Sequence, residues 1–435
     1  MSETVNLKIE GGKKLSGEIT TNRSKNAAVA LLCASLINRG KTTLKNVPKI
    51  EEVARILEVL ESLGVKITKS GNDLIIQPPT KFKLAEINTE SASKTRNVLL
   101  MIGALVHHES RFKFPHPGGC KLGERTVRPH LFALEKLGVK IKSHETDYEV
   151  SATKLRPAEI VLYETGDTVT ENALIAASLI PGQTTIKLAS SNYMVRDLCY
   201  FLELLGVKIE GIGSSTLKIT GLAKIERDVE FELSEDPIES MLFLAIAATT
   251  NSALTIKRCP IDFLELELLK LEKMGLKFKL SRRYKSANGQ TDLVDITTKS
   301  SKLKALEDKI HPLPFPGLNI DNLPFFVPIA TQARGTTLIH DWIYENRAIY
   351  YMELNKLGAK IMLADPHRVY IEGPSELRAT EVVCPPALRP AAIILIAMLA
   401  ARGTSILRNI YSINRGYEDL VTRLQKLGAK IEIMV

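Results

Sequence analysis

Leu60-Glu-Ser-Leu-Gly-Val-Lys-Ile67 returns almost letter for letter as Leu134-Glu-Lys-Leu-Gly-Val-Lys-Ile141 and Leu202-Glu-Leu-Leu-Gly-Val-Lys-Ile209. Three looser copies follow: Leu271-Glu-Lys-Met-Gly-Leu-Lys-Phe278, Leu354-Asn-Lys-Leu-Gly-Ala-Lys-Ile361 and Leu424-Gln-Lys-Leu-Gly-Ala-Lys-Ile431. A phrase recurring at glycines 64, 138, 206, 275, 358 and 428 marks a repeat architecture. Each copy predicts the end of an amphipathic helix, a glycine cap with positive φ, and then an alternating strand.

Working outward, a strand opener precedes each glycine. Four are Gly40-Lys-Thr-Thr-Leu44, Gly182-Gln-Thr-Thr-Ile186, Gly335-Thr-Thr-Leu-Ile339 and Gly403-Thr-Ser-Ile-Leu407; Ser110-Arg-Phe-Lys-Phe114 and Ser252-Ala-Leu-Thr-Ile256 fill the other two places. Before each opener lies a strongly apolar stretch such as Ala27-Ala-Val-Ala-Leu-Leu-Cys-Ala-Ser-Leu36 or Ala391-Ala-Ile-Ile-Leu-Ile-Ala-Met-Leu-Ala400. A helix apolar on every side is a buried one. The predicted unit is therefore buried helix, strand, surface helix, strand. Six units in two groups of three predict two similar α/β domains, with a seam near 228–236. The expected division is 21–233 for the first domain, and 1–20 plus 234–435 for the second. Residues 1–20 read as a strand pair, Val5 to Glu10 with Lys14 to Thr20, closing onto the second half. Lys279 to Thr291, with Asn288-Gly289, reads as a hairpin or loop insertion.

Composition narrows the class. At 435 residues, 45% hydrophobic and 25% charged, the chain is an ordinary globular protein rather than a disordered, collagenous or disulfide-built one. The longest apolar run, Ala391 to Ala401, falls short of the roughly 20 residues that cross a bilayer. The first residues lack the basic-then-apolar layout of a secretory signal, so a cytoplasmic location is expected. Five cysteines, odd in number and without a Cys-x-x-Cys pair, predict free thiols and no structural zinc. A net charge of +9 points to anionic ligands, but no arginine-rich arm or aromatic-basic motif points to nucleic acid. No Walker loop, dinucleotide fingerprint or His-Glu-x-x-His cluster is present, so neither metal nor cofactor is expected.

The predicted starts of the buried helices are where the polar residues collect: Lys25-Asn26, Arg96, Thr168 to Asn172, Asp236 to Glu239, Asp321 and Arg389. Carboxylates there are explained by capping. Cations are not, because the helix dipole repels them. Lys25, Arg96 and Arg389 are accordingly expected to converge on a strongly charged anion, phosphate or carboxylate. Arg347 and Arg415 are further basic candidates in loops. The second copy alone carries Pro115-His-Pro-Gly-Gly-Cys-Lys-Leu-Gly-Glu-Arg125, a loop that folding does not require, with Lys121 and Arg125 placed to stabilise a thiolate at Cys120. The other four cysteines read as structural.

Ser24-Lys-Asn-Ala-Ala28, Asn46-Val-Pro-Lys49, Pro117-Gly-Gly-Cys120, Thr170-Glu-Asn172, Glu345-Asn-Arg347, Leu388-Arg389 and Arg415-Gly-Tyr-Glu418 together resemble the enolpyruvyl transferase family. The likeness runs from about residue 6 to the C-terminus. It implies a two-domain inside-out α/β barrel of six repeats, three per domain, with the active site in the interdomain cleft. It also implies transfer of the enolpyruvyl group of phosphoenolpyruvate to the 3-hydroxyl of a sugar-nucleotide acceptor, UDP-N-acetylglucosamine, on the way to peptidoglycan. A monomer with no nucleic-acid or membrane partner is implied.

Carried onto this chain, the resemblance makes Cys120 the general acid that can form a covalent adduct, and Asp321 the base. Lys25, Arg96, Arg125, Arg389 and Arg415 would bind phosphoenolpyruvate, with Lys25 counted among the catalytic groups. Asn26, Arg347, Ile343, Gly166 and Asp167 would help to place the substrates. Departures fall on the acceptor side: Gly166-Asp-Thr168 replaces Ser-Val-Gly, Thr126-Val-Arg128 replaces Pro-Val-Asp, and Ser191-Asn-Tyr-Met-Val195 replaces Arg-Glu-Pro-Glu-Ile. Ala387 and Pro237 stand where Asp and Arg are usual. Transfer to a different nucleotide or sugar hydroxyl, a shikimate-3-phosphate acceptor, and a non-catalytic anion-binding paralogue remain as alternatives. A more distant repeat relative, the RNA 3′-phosphate cyclase, would need a nucleophilic histidine that has no evident place here.

Overall fold

The computed structural model of the protein describes residues 5–118 and 126–434, so Cys120 and Arg125 lie outside the described residues. The chain forms two compact α/β units, one of residues 23–118 and 126–234, the other of residues 5–22 and 235–434.

In the first unit three helices, Lys25–Ala34, Leu100–Leu105 and Asp167–Ala177, pack on one another. In the second, Pro237–Thr249, Phe326–Thr331 and Leu388–Ala400 do the same. From Arg389 to Leu399 every residue of the last helix is buried. Each buried Leu or Ile there contributes about 1.5–3 kcal/mol, which fixes the helix in the core. Two of the six do not start as α-helix. Asn97–Leu99 and Leu323–Phe325 are 3₁₀ turns leading into Leu100–Leu105 and Phe326–Thr331.

Three sheets belong to each unit among the described residues, and all six repeated phrases deliver a strand to one of them. The six cap glycines have φ between +88° and +98°. Side chains other than glycine rarely adopt that region, which is why the phrase keeps its glycine when its neighbours drift. The surface helix of the fifth copy, Ala348–Leu357, is wound as 3₁₀ rather than α. Tyr284–Lys285 folds back antiparallel on Asp292–Lys299, so the basic insertion is a hairpin.

The first twenty residues do not form the expected strand pair. Asn6–Gly11 lies antiparallel between Gly403–Arg408 and Lys430–Met434, whereas Ser16–Thr20 runs parallel to Ala253–Pro260 in a different sheet. A lone hairpin is marginal in water. Two separate strands instead complete two sheets whose backbone groups would otherwise go unpaired.

Close helix contact in the first unit is set by Gly103. Its N–H donates to Asn172 Oδ1 at 3.0 Å, and Asn172 Nδ2 donates to Leu99 O at 3.1 Å. A Cβ at 103 would come within 2.5 Å of that amide oxygen. His107 follows the same helix, and its Nε2–H donates to Ala176 O at 2.8 Å. Burial is the main reason its imidazole is pulled down from 6.5 to about 4. The unfolded chain therefore takes up this proton first. Stability held by neutral His107 is complete above about pH 6.5 and declines as pH falls towards 4, by a total on the order of 3 kcal/mol. Thermal melts across that interval should show a flatter pH dependence in His107→Gln, which keeps a donor for Ala176 but cannot titrate. An unchanged slope would assign the acid sensitivity elsewhere.

Candidate active site

Lys25 is the first residue of its helix, capped by Ser24, whose hydroxyl accepts from Ala27 N at 3.1 Å. The dipole's repulsion of a cation there is met by Glu52: Lys25 Nζ lies 2.7 Å from Glu52 Oε2, both side chains nearly buried. The other oxygen of Glu52 accepts from Asn97 Nδ2 at 2.8 Å and Thr95 Oγ1 at 3.2 Å. One carboxylate thus ties Lys25 to the turn that carries Arg96. Arg96 Nη2 donates to Thr126 O at 2.6 Å, the first described residue after 119–125. Asn26 Nδ2 donates to Tyr193 OH at 3.0 Å. Sequence reading missed Glu52, since two glutamates opening a helix look like ordinary dipole complements.

Gly166 caps Asp167–Ala177 and Asp167 is its first residue. The Asp167 carboxylate accepts from Ser190 Oγ at 2.6 Å and Asn192 Nδ2 at 3.3 Å. Two of the departures noted above, at 167 and in the 191–195 segment, are therefore bonded to one another. Tyr193, from the same segment, is the partner of Asn26.

The second unit builds a matching cluster. Arg389, second in Leu388–Ala400, donates from Nη1 to Tyr417 OH at 2.5 Å and from Nη2 to Asp321 Oδ2 at 3.1 Å. Its guanidinium carbon is 5.4 Å from the Tyr417 ring centre. Burial works to lower the pKa of Arg389, and the fields of Tyr417, Asp321 and Asp236 overrule it, so the group is held charged. Burial pushes the Tyr417 phenol above its ordinary value in spite of Arg389. Asp236 caps Pro237–Thr249 by accepting from Ile238 N and Glu239 N, as expected of a helix start.

Asp321 does not cap a helix. The structure corrects that expectation: the cap residue is Asn322, and the Asp321 side chain, 27% exposed, reaches Arg389 instead. Its turn is held from below by Glu267, which accepts from Asn319 N at 3.2 Å and Asn322 Nδ2 at 2.8 Å. Burial raises the Glu267 carboxyl above its usual range. Glu267, like Glu52, comes from the first turn of a surface helix, so both units hold their polar turn with the same device.

Arg347 also departs from expectation. It stands in a loop as expected but turns inward: it is 0% exposed, with Nε 2.6 Å and Nη2 2.8 Å from the two oxygens of Asp341. Tyr351 OH joins Asp341 at 2.5 Å. Asp341 is itself fully buried and needs a cation, which explains why Arg347 turns inward. In this geometry Arg347 fixes the two ends of the 341–347 loop that bears Ile343. Arg415 is half-buried at the end of a short helix, Tyr411–Asn414. Cys33, Cys199, Cys259 and Cys384 are buried free thiols, and burial pushes Cys259 and Cys384 up to about 12, so none is a nucleophile.

No helix among the described residues is long and apolar enough to cross a membrane. The fold is that of the enolpyruvyl transferase NikO from Streptomyces tendae, with a TM-score of 0.85, 24% identity and 99% of each chain covered. EPSP synthase from Acinetobacter baumannii superposes with a TM-score of 0.77 at 17% identity over 100% of each chain. In sequence the chain is 36% identical over 429 residues to UDP-N-acetylglucosamine 1-carboxyvinyltransferase of Treponema denticola, covering 98% of both chains. It is 34% identical to the enzyme of that name from Borreliella burgdorferi, again over 98% of each. The sequence model for EPSP synthase (3-phosphoshikimate 1-carboxyvinyltransferase) matches residues 9–431. A full-length match of that kind, on a mixed α/β two-domain fold whose helix starts carry Lys25, Arg96 and Arg389, makes the chain a member of the EPSP synthase family of enolpyruvyl transferases.

Proposed function

We propose that the protein transfers the enolpyruvyl group of phosphoenolpyruvate to the 3-hydroxyl of UDP-N-acetylglucosamine and releases phosphate, a step towards peptidoglycan. The observation that carries this reading is the Asp321–Arg389–Tyr417 cluster, a cation held charged at a helix start beside a part-exposed carboxylate. The names of the full-length relatives supply the acceptor.

In this reading Cys120 delivers a proton to the methylene carbon of phosphoenolpyruvate. Positive charge then develops at the adjacent carbon, between a carboxylate and a phosphate. Lys25, Arg96, Arg125, Arg389 and Arg415, drawn from both halves of the chain, hold those two anions in place and stabilise the charge as it shifts. Asp321 accepts the hydroxyl proton as the sugar oxygen attacks. Loss of a proton from the former methylene carbon and of phosphate completes the transfer. Addition of the Cys120 thiolate, instead of the sugar oxygen, at the carbon where positive charge develops gives the phospholactoyl adduct. Asn26, Gly166, Asp167 and Ile343 belong to the acceptor side, and Arg347 positions the Ile343 loop. The six copies are read as one repeat, three to a domain, in an inside-out barrel with domains 21–233 and 1–20 with 234–435. A single cytoplasmic chain suffices, with no nucleic-acid or membrane partner.

Asp167 favours a second acceptor, because it puts a carboxylate at the amino end of Asp167–Ala177, where a diphosphate would meet repulsion. A different nucleotide or sugar hydroxyl is the alternative. Phosphate release from phosphoenolpyruvate, measured across a panel of acceptors, separates the two. Turnover with UDP-N-acetylglucosamine supports the first reading, and turnover only with another hydroxyl replaces it. Fosfomycin, an epoxide analogue of phosphoenolpyruvate, is expected to alkylate Cys120. Intact-mass analysis should show one adduct, absent from Cys120→Ser; an adduct that survives the substitution would move the nucleophile elsewhere.

A further inference from the structure

The fourth and fifth copies meet at a cavity of about 700 Å³ in the second unit. Four cations line it: Lys277, Lys302, Lys304 and Arg334. Among the described residues no carboxylate lines this cavity, and none of the four side chains makes an ion pair. Thr249, 3% exposed, also lines it and its hydroxyl has no hydrogen-bond partner.

The next junction, between the fifth and sixth copies, repeats the backbone of this one bond for bond. Lys304 N donates to Met274 O as Arg378 N donates to Leu357 O, each at 2.8 Å. Arg334 N donates to Leu303 O as Arg402 N donates to Leu377 O, each at 2.9 Å. Isolated parallel bridges join Lys304 to Arg334 and Arg378 to Arg402. The carbonyl facing the cap glycine belongs to Lys302 at Gly275 and to Glu376 at Gly358. Lys302 therefore occupies the place of Glu376.

At that later junction Glu376 bridges both cations, with Arg402 Nη1 at 3.0 Å and Arg378 Nη2 at 3.5 Å. Its carboxylate marks where an anion sits. At the earlier junction the carboxylate is replaced by a further cation, and the space is open. Complementing the carbonyl ends of nearby helices does not account for this, because the later junction has the same helix ends and keeps its glutamate.

We propose that the cavity is a binding site for a small phosphate-bearing anion. Lys304 and Arg334 would bridge its oxygens as Arg378 and Arg402 bridge Glu376, with Lys277, Lys302 and the Thr249 hydroxyl completing the shell. The site lies apart from every residue of the transferase reading, so its fate is independent of that reading.

Residue-resolved mass spectrometry of lysine acetylation, with inorganic phosphate against chloride at equal ionic strength, tests it on the intact protein. Phosphate should lower acetylation of Lys277, Lys302 and Lys304 by about half at half-occupancy, and leave Lys360, paired with Glu372, unchanged. Lys302→Glu restores the arrangement of the later junction. It should abolish phosphate protection of Lys277 and Lys304 while transferase activity stays the same. Arg334→Gln gives the same readout if that variant folds poorly. Equal acetylation in phosphate and chloride, or protection that persists in both variants, overturns the proposal.

Discussion

Asp321→Asn should abolish nearly all turnover while leaving the fold and phosphoenolpyruvate binding largely intact. An amide cannot take the acceptor's proton, so kcat is expected to fall by about 10²–10⁴-fold. Its oxygen still accepts from Arg389 Nη2, the bond now 3.1 Å long, so Arg389 keeps a partner. The stability cost should be about 1 kcal/mol, and KM for phosphoenolpyruvate should change by less than about tenfold. Steady-state kinetics beside a thermal melt separates the two effects. A normal kcat would remove Asp321 from the chemistry, and a collapsed melt would make it a structural ion pair instead.

Arg389→Lys is the sharper test of the anion pocket, because it keeps the charge and removes the geometry. Arg389 uses two separate nitrogens to reach Tyr417 and Asp321, 28 and 68 positions away in the chain. A lysine ammonium is a single point on a flexible stem and does not span both. kcat/KM for phosphoenolpyruvate is expected to fall by about 10²–10³-fold, or about 3–4 kcal/mol. Stability should drop by about 1–3 kcal/mol as the buried pair loosens. Retention of wild-type kcat/KM would show that charge alone suffices at 389, and would leave the substrate contact unassigned.

How much of this was readable from the residues depends on the range of the interaction. The cap glycines were legible because a positive φ is a local demand with one cheap solution, met six times over. The buried helices were legible because an apolar stretch such as 391–400 has nowhere else to go. Strand partners were not. Asn6–Gly11 and Ser16–Thr20 read as a hairpin from proximity, but their partners lie some 240 to 420 residues away. Only the unfilled edges of distant sheets decide the matter.

Within the candidate site, the cations were found by their misfit with the helix dipole, whereas the carboxylates that brace the polar turns were not. Glu52 and Glu267 sit at helix starts, where glutamate is unremarked, and their second role appears only when another turn docks on them. Tyr417 stood inside a quoted motif without a task until Arg389 was seen against it. Arg347 shows the reverse case. A basic residue in a polar loop reads as a substrate contact, yet the buried Asp341 six positions earlier draws it into the core. Asp167 and Asn192 are an instructive pair: separately each is a departure, and together they are a hydrogen bond.

In the proposed reaction the phosphoenolpyruvate that Arg96 binds is also bound by Arg415. Amide hydrogen exchange with and without phosphoenolpyruvate reads this directly. Residues 93–97, around Arg96, and 414–418, around Arg415, should both exchange more slowly when phosphoenolpyruvate is bound, and by similar factors. Slowing confined to one of the two segments, or to neither, would contradict the account.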